Sequence, residues 1–274
     1  MAYIELLLMA AGALWAQDAP AGGAAPGSAA PQAPAPVVLA NKGKPMLAPF
    51  HCSEEDIRSA GLTCSEDDPC PVYLEIAAVE STGLRIFAAG NIHTASATLY
   101  TILLGSEDNG QTWREVHERV RGAGLDRIQF ADVVTGWTSG LVFAPLPQDP
   151  FLLMTTDGGQ TWRAHAIFNE PRFGTLQQFF FEDRQRGELV VDHGPGTGGD
   201  RYELYETNDG GQTWNIRETS VKAIRIKSAP PAPNSDWRVR VDAPSKSFHL
   251  ERRQGQRWTG VGAFAVNLGA CKPE

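Results

Sequence analysis

One eight-residue motif stands at residues 106–113, 155–162 and 207–214 and constrains this chain more than any other feature. The first copy reads Ser106-Glu107-Asp108-Asn109-Gly110-Gln111-Thr112-Trp113. The second carries Asp157-Gly158-Gly159-Gln160-Thr161-Trp162, the third Asp209-Gly210-Gly211-Gln212-Thr213-Trp214. The motif aspartates are 49 and 52 residues apart. A period near that length, with a turn signal in every copy, means one supersecondary unit repeated so that neighbours stack into a shared core.

The motif is hairpin chemistry. Asp-Asn-Gly and Asp-Gly-Gly supply residues that take positive φ, and a short carboxylate accepts hydrogen bonds from turn N–H groups. The runs before it are apolar or β-prone, for example Leu99-Tyr100-Thr101-Ile102-Leu103-Leu104 and Tyr202-Glu203-Leu204-Tyr205. Each motif therefore joins two strands, with its Trp packing at the hairpin base. A buried Trp removes roughly 150–250 Å² from water. The residues assigned this structural role are Asp108, Gly110, Thr112 and Trp113, then Asp157, Gly159, Thr161 and Trp162, then Asp209, Gly211, Thr213 and Trp214.

A second rhythm accompanies the first. Phe130-Ala131-Asp132 before Gly136-Trp137 matches Phe181-Glu182-Asp183 before Gly187-Glu188: an apolar strand, an acidic turn, and a glycine opening the next strand. Downstream, Glu251 to Trp258 keeps the Gly and Trp positions but has lost Asp and Thr, and reads as a degenerate fourth copy. Four units of four strands then span about residues 72–262, leaving Gly262 to Leu268 as a closing strand.

The motif resembles the Asp box, or bacterial neuraminidase repeat, Ser/Thr-x-Asp-x-Gly-x-Thr-Trp. That resemblance implies an all-β chain forming a small β-propeller of about four blades of four antiparallel strands, each Asp box on the hairpin between third and fourth strands. The order Phe130-Ala131-Asp132, Gly136-Trp137, then the motif is similar to the propellers of the photosystem II stability/assembly factor group. It implies a non-enzymatic scaffold that binds a protein partner. Asp boxes also occur in sialidases, whose chemistry uses a Tyr nucleophile assisted by Glu and three arginines on a carboxylate. Tyr202-Glu203 and Tyr205-Glu206 offer those types, but on a strand feeding directly into a motif hairpin.

The ends of the chain speak to compartment. Residues 1–16 hold an apolar core ending in Ala-Leu-Trp-Ala and read as a secretory signal, although no basic residue precedes the core and Glu5 is acidic. A membrane anchor is the competing reading; the apolar run is short for a bilayer. Residues 17–45 are an Ala/Pro/Gly-rich linker, 46–71 a cysteine-containing segment, and 72–274 the repeat domain. This organisation predicts a periplasmic or secreted protein without a membrane span in its mature chain.

Cys52, Cys64, Cys70 and Cys271 flank the repeats. An even count in an exported chain predicts disulfides rather than a metal site, since no Cys-x-x-Cys pair occurs. Cys70 immediately precedes the first strand and Cys271 follows the last, which favours Cys70–Cys271 with Cys52–Cys64. Whatever its partner, Cys271 must tie the last unit to the N-terminal region.

Chemistry is sparse. Asp and Glu exceed Lys and Arg by eight, against a nucleic-acid binder. There is no Walker loop, His-Glu-x-x-His or Gly-x-Ser-x-Gly, so no cofactor, metal or catalytic residue is expected. The acidic runs Glu54-Glu55-Asp56 and Glu66-Asp67-Asp68 read as solvated surface, and residues 193–200 as a flexible connecting loop. Loops remote from the motif hairpins carry the candidate binding residues: His93, Asp149, His193 and Asp200 between second and third strands, and His117, Arg119, Arg121 and Arg172 between units. The partner predicted is an envelope protein; a glycan is the alternative.

Overall fold

The computed structural model describes residues 37–143, 147–196, 199–226 and 236–273. Both the signal reading at 1–16 and the first part of the linker lie outside the described residues. The chain opens with β1 (Leu39–Ala40), inside the segment read as linker, followed by the short helix α1 (Glu54–Ser59). Then come β2 (Cys70–Thr82), β3 (Arg85–His93), β4 (Thr98–Ser106) and β5 (Thr112–Glu115). A second group is β6 (Ala123–Phe130), β7 (Gly136–Phe143), β8 (Pro147–Thr155) and β9 (Arg163–Ala166). A third is β10 (Thr175–Phe181), β11 (Gly187–Asp192), β12 (Tyr202–Thr207) and β13 (Asn215–Ser220). The last strands are β14 (Trp237–Asp242), β15 (Ser247–Gln254), β16 (Arg257–Ala265) and β17 (Asn267–Cys271). All sheet pairing is antiparallel, in the orders β1-β5-β4-β3-β2-β17, β6-β7-β8-β9, β10-β11-β12-β13 and β14-β15-β16.

The three motifs fall on the β4–β5, β8–β9 and β12–β13 hairpins, third to fourth strand of each repeat unit. Their hydrogen bonding is the same three times. Thr112 N–H and hydroxyl donate to the Asp108 carboxylate at 2.8 and 2.6 Å; the Thr161–Asp157 pair shows 2.9 and 2.6 Å, and Thr213–Asp209 2.9 and 2.6 Å. Ser106, Thr155 and Thr207 accept the N–H of Gly110, Gly159 and Gly211, at 2.8, 2.8 and 3.0 Å, and each donates to the aspartate of its own motif. Both turn glycines of the second and third copies have positive φ, and Asn109 takes φ 57° in the first.

The acidic turns repeat as well. Asp132 accepts from the N–H groups of Val134 and Thr135, and Asp183 from those of Gln185 and Arg186, all at 2.8 Å. The glycine that follows has a steric reason: a Cβ on Gly136 would lie 2.6 Å from the Phe130 ring, and one on Gly187 2.5 Å from Phe181.

Packing runs from sheet to sheet. Phe87 of the first sheet and Trp162 of the second share one apolar cluster; Trp137 of the second and Phe181 of the third share another. Trp137 stacks on Phe181 with centroids 3.6 Å apart, and its Nε1 donates to Gly210 O at 2.9 Å. Trp113 of the first sheet and Phe264 and Trp237 of the fourth belong to the largest cluster. The third sheet's remaining apolar face, with Val190, Tyr202 and Leu204, is covered by Ile224 and Ile226 of the following segment.

Two expectations are corrected. The fourth sheet has three described strands, not four; Glu251 to Trp258 forms its β15–β16 turn with Gly255 at φ 63°. Met46 adds a parallel bridge to Phe264 beside it. The closing strand is Asn267–Cys271, displaced from 262–268 because β16 continues to Ala265 before the chain crosses to β2.

The disulfides are Cys52–Cys271 and Cys64–Cys70, with Cα separations of 5.1 and 5.3 Å, so the favoured pairing is also corrected. Cys70 and Cys271 do face each other across β2 and β17. However, Cys271 is fully buried beside Cys52 and Cys64 in the main core, while the Ser65–Asp68 turn folds Cys64 back onto Cys70. The expectation that Cys271 links the chain end to the N-terminal region stands, with Cys52 as partner. Mass spectrometry of non-reduced peptides should recover these two linkages; a Cys70–Cys271 peptide would contradict the core geometry.

Candidate functional site

Turn residues occupy the motif end of each sheet, so variable polar loops collect at the opposite end. There, beside the loops after β3 and β11, the loops after β5 and β9 are pinned to strands by Tyr100–Arg121 and Gln148–Phe173 bridges. Asp149, at φ 48°, fixes the β9–β10 loop: it accepts the Arg172 N–H at 2.8 Å and donates its own N–H to Arg172 O at 2.9 Å.

Two expected residues, Arg172 and His193, come together around β12. Strand alternation places Glu203 and Tyr205 on one face of β12. Tyr205 donates to Glu203, and Arg172 Nη1 donates to the Tyr205 oxygen at 3.1 Å while stacking 5.1 Å over Phe168. His193 lies with Nε2 2.8 Å from Glu203 Oε2 and Nδ1 2.8 Å from Phe173 O. Burial and the Glu203 carboxylate push the Tyr205 phenol well up from its ordinary value. Burial opposes the charge on Glu203, but Tyr205, His193 and Arg172 outweigh it and hold that carboxyl low. The cluster is a clasp in which Tyr205 and Arg172 are hydrogen-bonded to their neighbours, while His193 Nε2 lies at ion-pair distance from Glu203 without a hydrogen bond.

Arg119 and Arg121 serve the N-terminal segment. Arg119 pairs with Glu115 at 2.6 Å, reaches Pro49 O at 2.7 Å and stacks over Phe50. Arg121 pairs with Glu55 at 3.1 Å and Asp56 at 3.4 Å and lies over Tyr100. His117 is half-buried in the same loop. His93 ends β3 and His193 directly follows the equivalent strand β11, and each sets Nδ1 2.8 Å from a backbone carbonyl, Thr94 O for His93, yet their rings face different neighbours; His93 packs on Tyr73. Asp200 stands apart and accepts from the Thr219 hydroxyl.

Sequence reasoning missed Asp56 and Tyr100. Asp56 is only 3% exposed, not part of a solvated run. It is the third helical residue of a capping box with Ser53, and it accepts the Tyr100 hydroxyl. The signal was present as Ser53-Glu54-Glu55-Asp56, a Ser-x-x-acid start. Burial raises its carboxyl; Tyr100, Ser53 and Arg121 together bring it below the usual range. Helix α1 thus walls a cleft of about 580 Å³ with Leu99, Arg121, Val142 and Phe143.

At the opposite end the motif aspartates carry a pH dependence. Partial burial opposes charge on Asp209, but Thr213 and Thr207 donate enough hydrogen bonds to hold it at about 2. A carboxyl depressed in the folded state stabilises the fold above its unfolded value, near 4, and loses that contribution as pH falls toward 2. Thermal midpoints should therefore drop between about pH 4 and pH 2, and Asp209→Asn should flatten part of that drop. An identical pH profile in the variant would count against the assignment.

The molecule is an all-β chain of several antiparallel sheets with two disulfides, and no described helix is long and apolar enough to cross a membrane. No family model matches it, and no curated protein matches it. Among solved structures it is similar to one described as YCF48 bound to D1 peptide, at 16% identity and TM-score 0.37, covering 78% of this chain and 58% of that one. It is also similar to the GH74 xyloglucanase from Xanthomonas campestris, at 15% identity and TM-score 0.29, covering 68% of this chain and 29% of that one. The chain thus spans less than two thirds of either.

Proposed function

We propose that this chain is an exported, non-enzymatic β-propeller of about four blades that binds an envelope protein partner through its loop face. The proposed organisation is a signal at 1–16, a linker to about 45, a disulfide-bearing segment to 71 and the propeller at 72–274, in the periplasm or outside the cell. The ring reading is supported by one neighbour relation that recurs. A Cβ on Gly159 would meet Phe87 of the preceding sheet, and one on Gly211 would meet Leu152 of its preceding sheet. One on Gly110 would meet Val261 of the C-terminal sheet, which therefore stands to the first sheet as the first stands to the second.

The observation that carries the binding reading is the cleft beside α1, on the face opposite the motif hairpins. A concave, largely apolar site with a few placed polar groups is the usual form of a binding surface. The hydrolase alternative needs a Tyr that ionises readily, whereas Tyr205 is 4% exposed and its phenol is pushed up. The test is cross-linking and pull-down of the tagged protein from its own envelope fraction. Arg121→Glu sets a new acid against Glu55 and Asp56, breaks the tie that holds α1 at the wall of the cleft, and through that lost shape should weaken capture of the partner at least about tenfold, about 1.4 kcal/mol. Glu107→Lys, on the hairpin face, should leave it within about twofold. The reverse ranking would place function on the other face, and sialoside turnover would overturn the non-enzymatic reading.

A further inference from the structure

Two hollows on the loop face meet at a single aromatic ring. The larger is the cleft beside α1. The smaller, about 260 Å³, lies over inner strands of the first three sheets, between Glu75, Asn91, Asp126 and Leu176. Phe143 lines both and is 42% exposed. The floor beneath it is thin by necessity: a Cβ on Gly124 would come 3.3 Å from the Phe143 ring and 3.4 Å from Asn91. The Phe143 N–H donates to Gly122 O at 2.7 Å, which anchors the strand bearing the ring.

Charge selects the occupant. In and beside the two hollows stand the carboxylates of Glu55, Asp56, Glu75 and Asp126, against the guanidiniums of Arg58 (which pairs with Glu55), Arg121 and Arg127. Arg121 is already shared between Glu55 and Asp56. Among the described residues, Glu75 has the neutral Asn91 amide, at 3.0 Å, as its side-chain partner and no cation. Among the described residues Asp126 meets its own neighbour Arg127 alone, at 3.1 Å, with 66% of its side chain exposed. The groove therefore presents surplus negative charge around an exposed aromatic face, the arrangement that attracts a cation over the ring.

Resting on the binding reading above, we infer that this groove takes an extended, basic–apolar peptide segment of the partner protein. Apolar side chains enter the hollows on either side of Phe143, and a Lys or Arg crosses the ring toward Glu75 and Asp126.

Fluorescence anisotropy on the oxidised full chain tests this with two labelled peptides of about ten residues, about 33 Å when extended. One alternates Lys and Val; the other has Glu in place of Lys. The Lys peptide should bind, more weakly as salt rises, and the Glu peptide should not. Phe143→Ala should weaken binding at least about tenfold, and Asp126→Lys should do the same without touching a buried group. Thermal unfolding of each variant separates lost binding from lost fold, and exposed Asp126 keeps the test valid if Phe143→Ala unfolds. Equal binding of both peptides, or indifference to Asp126→Lys, overturns the inference. An envelope partner whose capture ignores both substitutions overturns the groove but leaves the binding reading standing. Peptide binding as expected with no partner captured does the opposite.

Discussion

Trp162→Ala is expected to lower the unfolding free energy by about 3–5 kcal/mol, the range for truncating a large aromatic in a core that only partly collapses. Trp162 is 6% exposed and meets Phe87 at 5.7 Å and Phe130 at 5.9 Å, both edge-on, so its loss opens the contact between the first and second sheets. Its Nε1 has no hydrogen-bond partner among the described residues, so the loss is one of packing alone. Trp162→Phe should then cost less than about 1.5 kcal/mol. Trp113 differs, because its Nε1 donates to Gly110 O at 3.2 Å, and Trp113→Phe should be the costlier of the two Phe variants. Urea unfolding followed by circular dichroism reads all three. An unchanged midpoint for Trp162→Ala would remove the packing argument.

Cys271→Ser should have an effect of similar size by a different route. The Cys52–Cys271 bond spans a sequence separation of 219. In the chain-entropy model such a loop is worth about 5 kcal/mol, against about 2 kcal/mol for the six-residue separation of Cys64–Cys70. Cys271→Ser and Cys52→Ser should therefore destabilise alike, and both clearly more than Cys64→Ser. A Cys64→Ser variant that proves the least stable would refute this ordering.

The hairpins were legible because their chemistry is local. Asp108, Thr112 and Ser106 carry the whole turn within seven residues, and the same holds at Asp157 and Asp209. The cystine pairing was not legible because Cys70 and Cys271 are neighbours in register, and only burial shows which way Cys271 points. Site residues divide in the same way. Loop positions such as Arg121 and Arg172 could be placed from strand order, but their partners Asp56 and Glu203 arrive from other elements. Asp56 looked like one more solvated acid because charge alone does not distinguish a capping residue under a tyrosine from surface.

The pairing of β2 with β17 has a consequence for how the molecule is made. The first repeat strand, beginning at Cys70, finds its last neighbour only at Asn267–Cys271. During synthesis one edge of β2 stays open until residues 267–271 have emerged, and contacts of such long sequence separation are slow to form. The N-terminal sheet is thus begun first and completed last. Oxidation at Cys271 then marks the moment of completion of this sheet, so a chain stalled before residue 267 carries an unpaired strand edge that other chains can join.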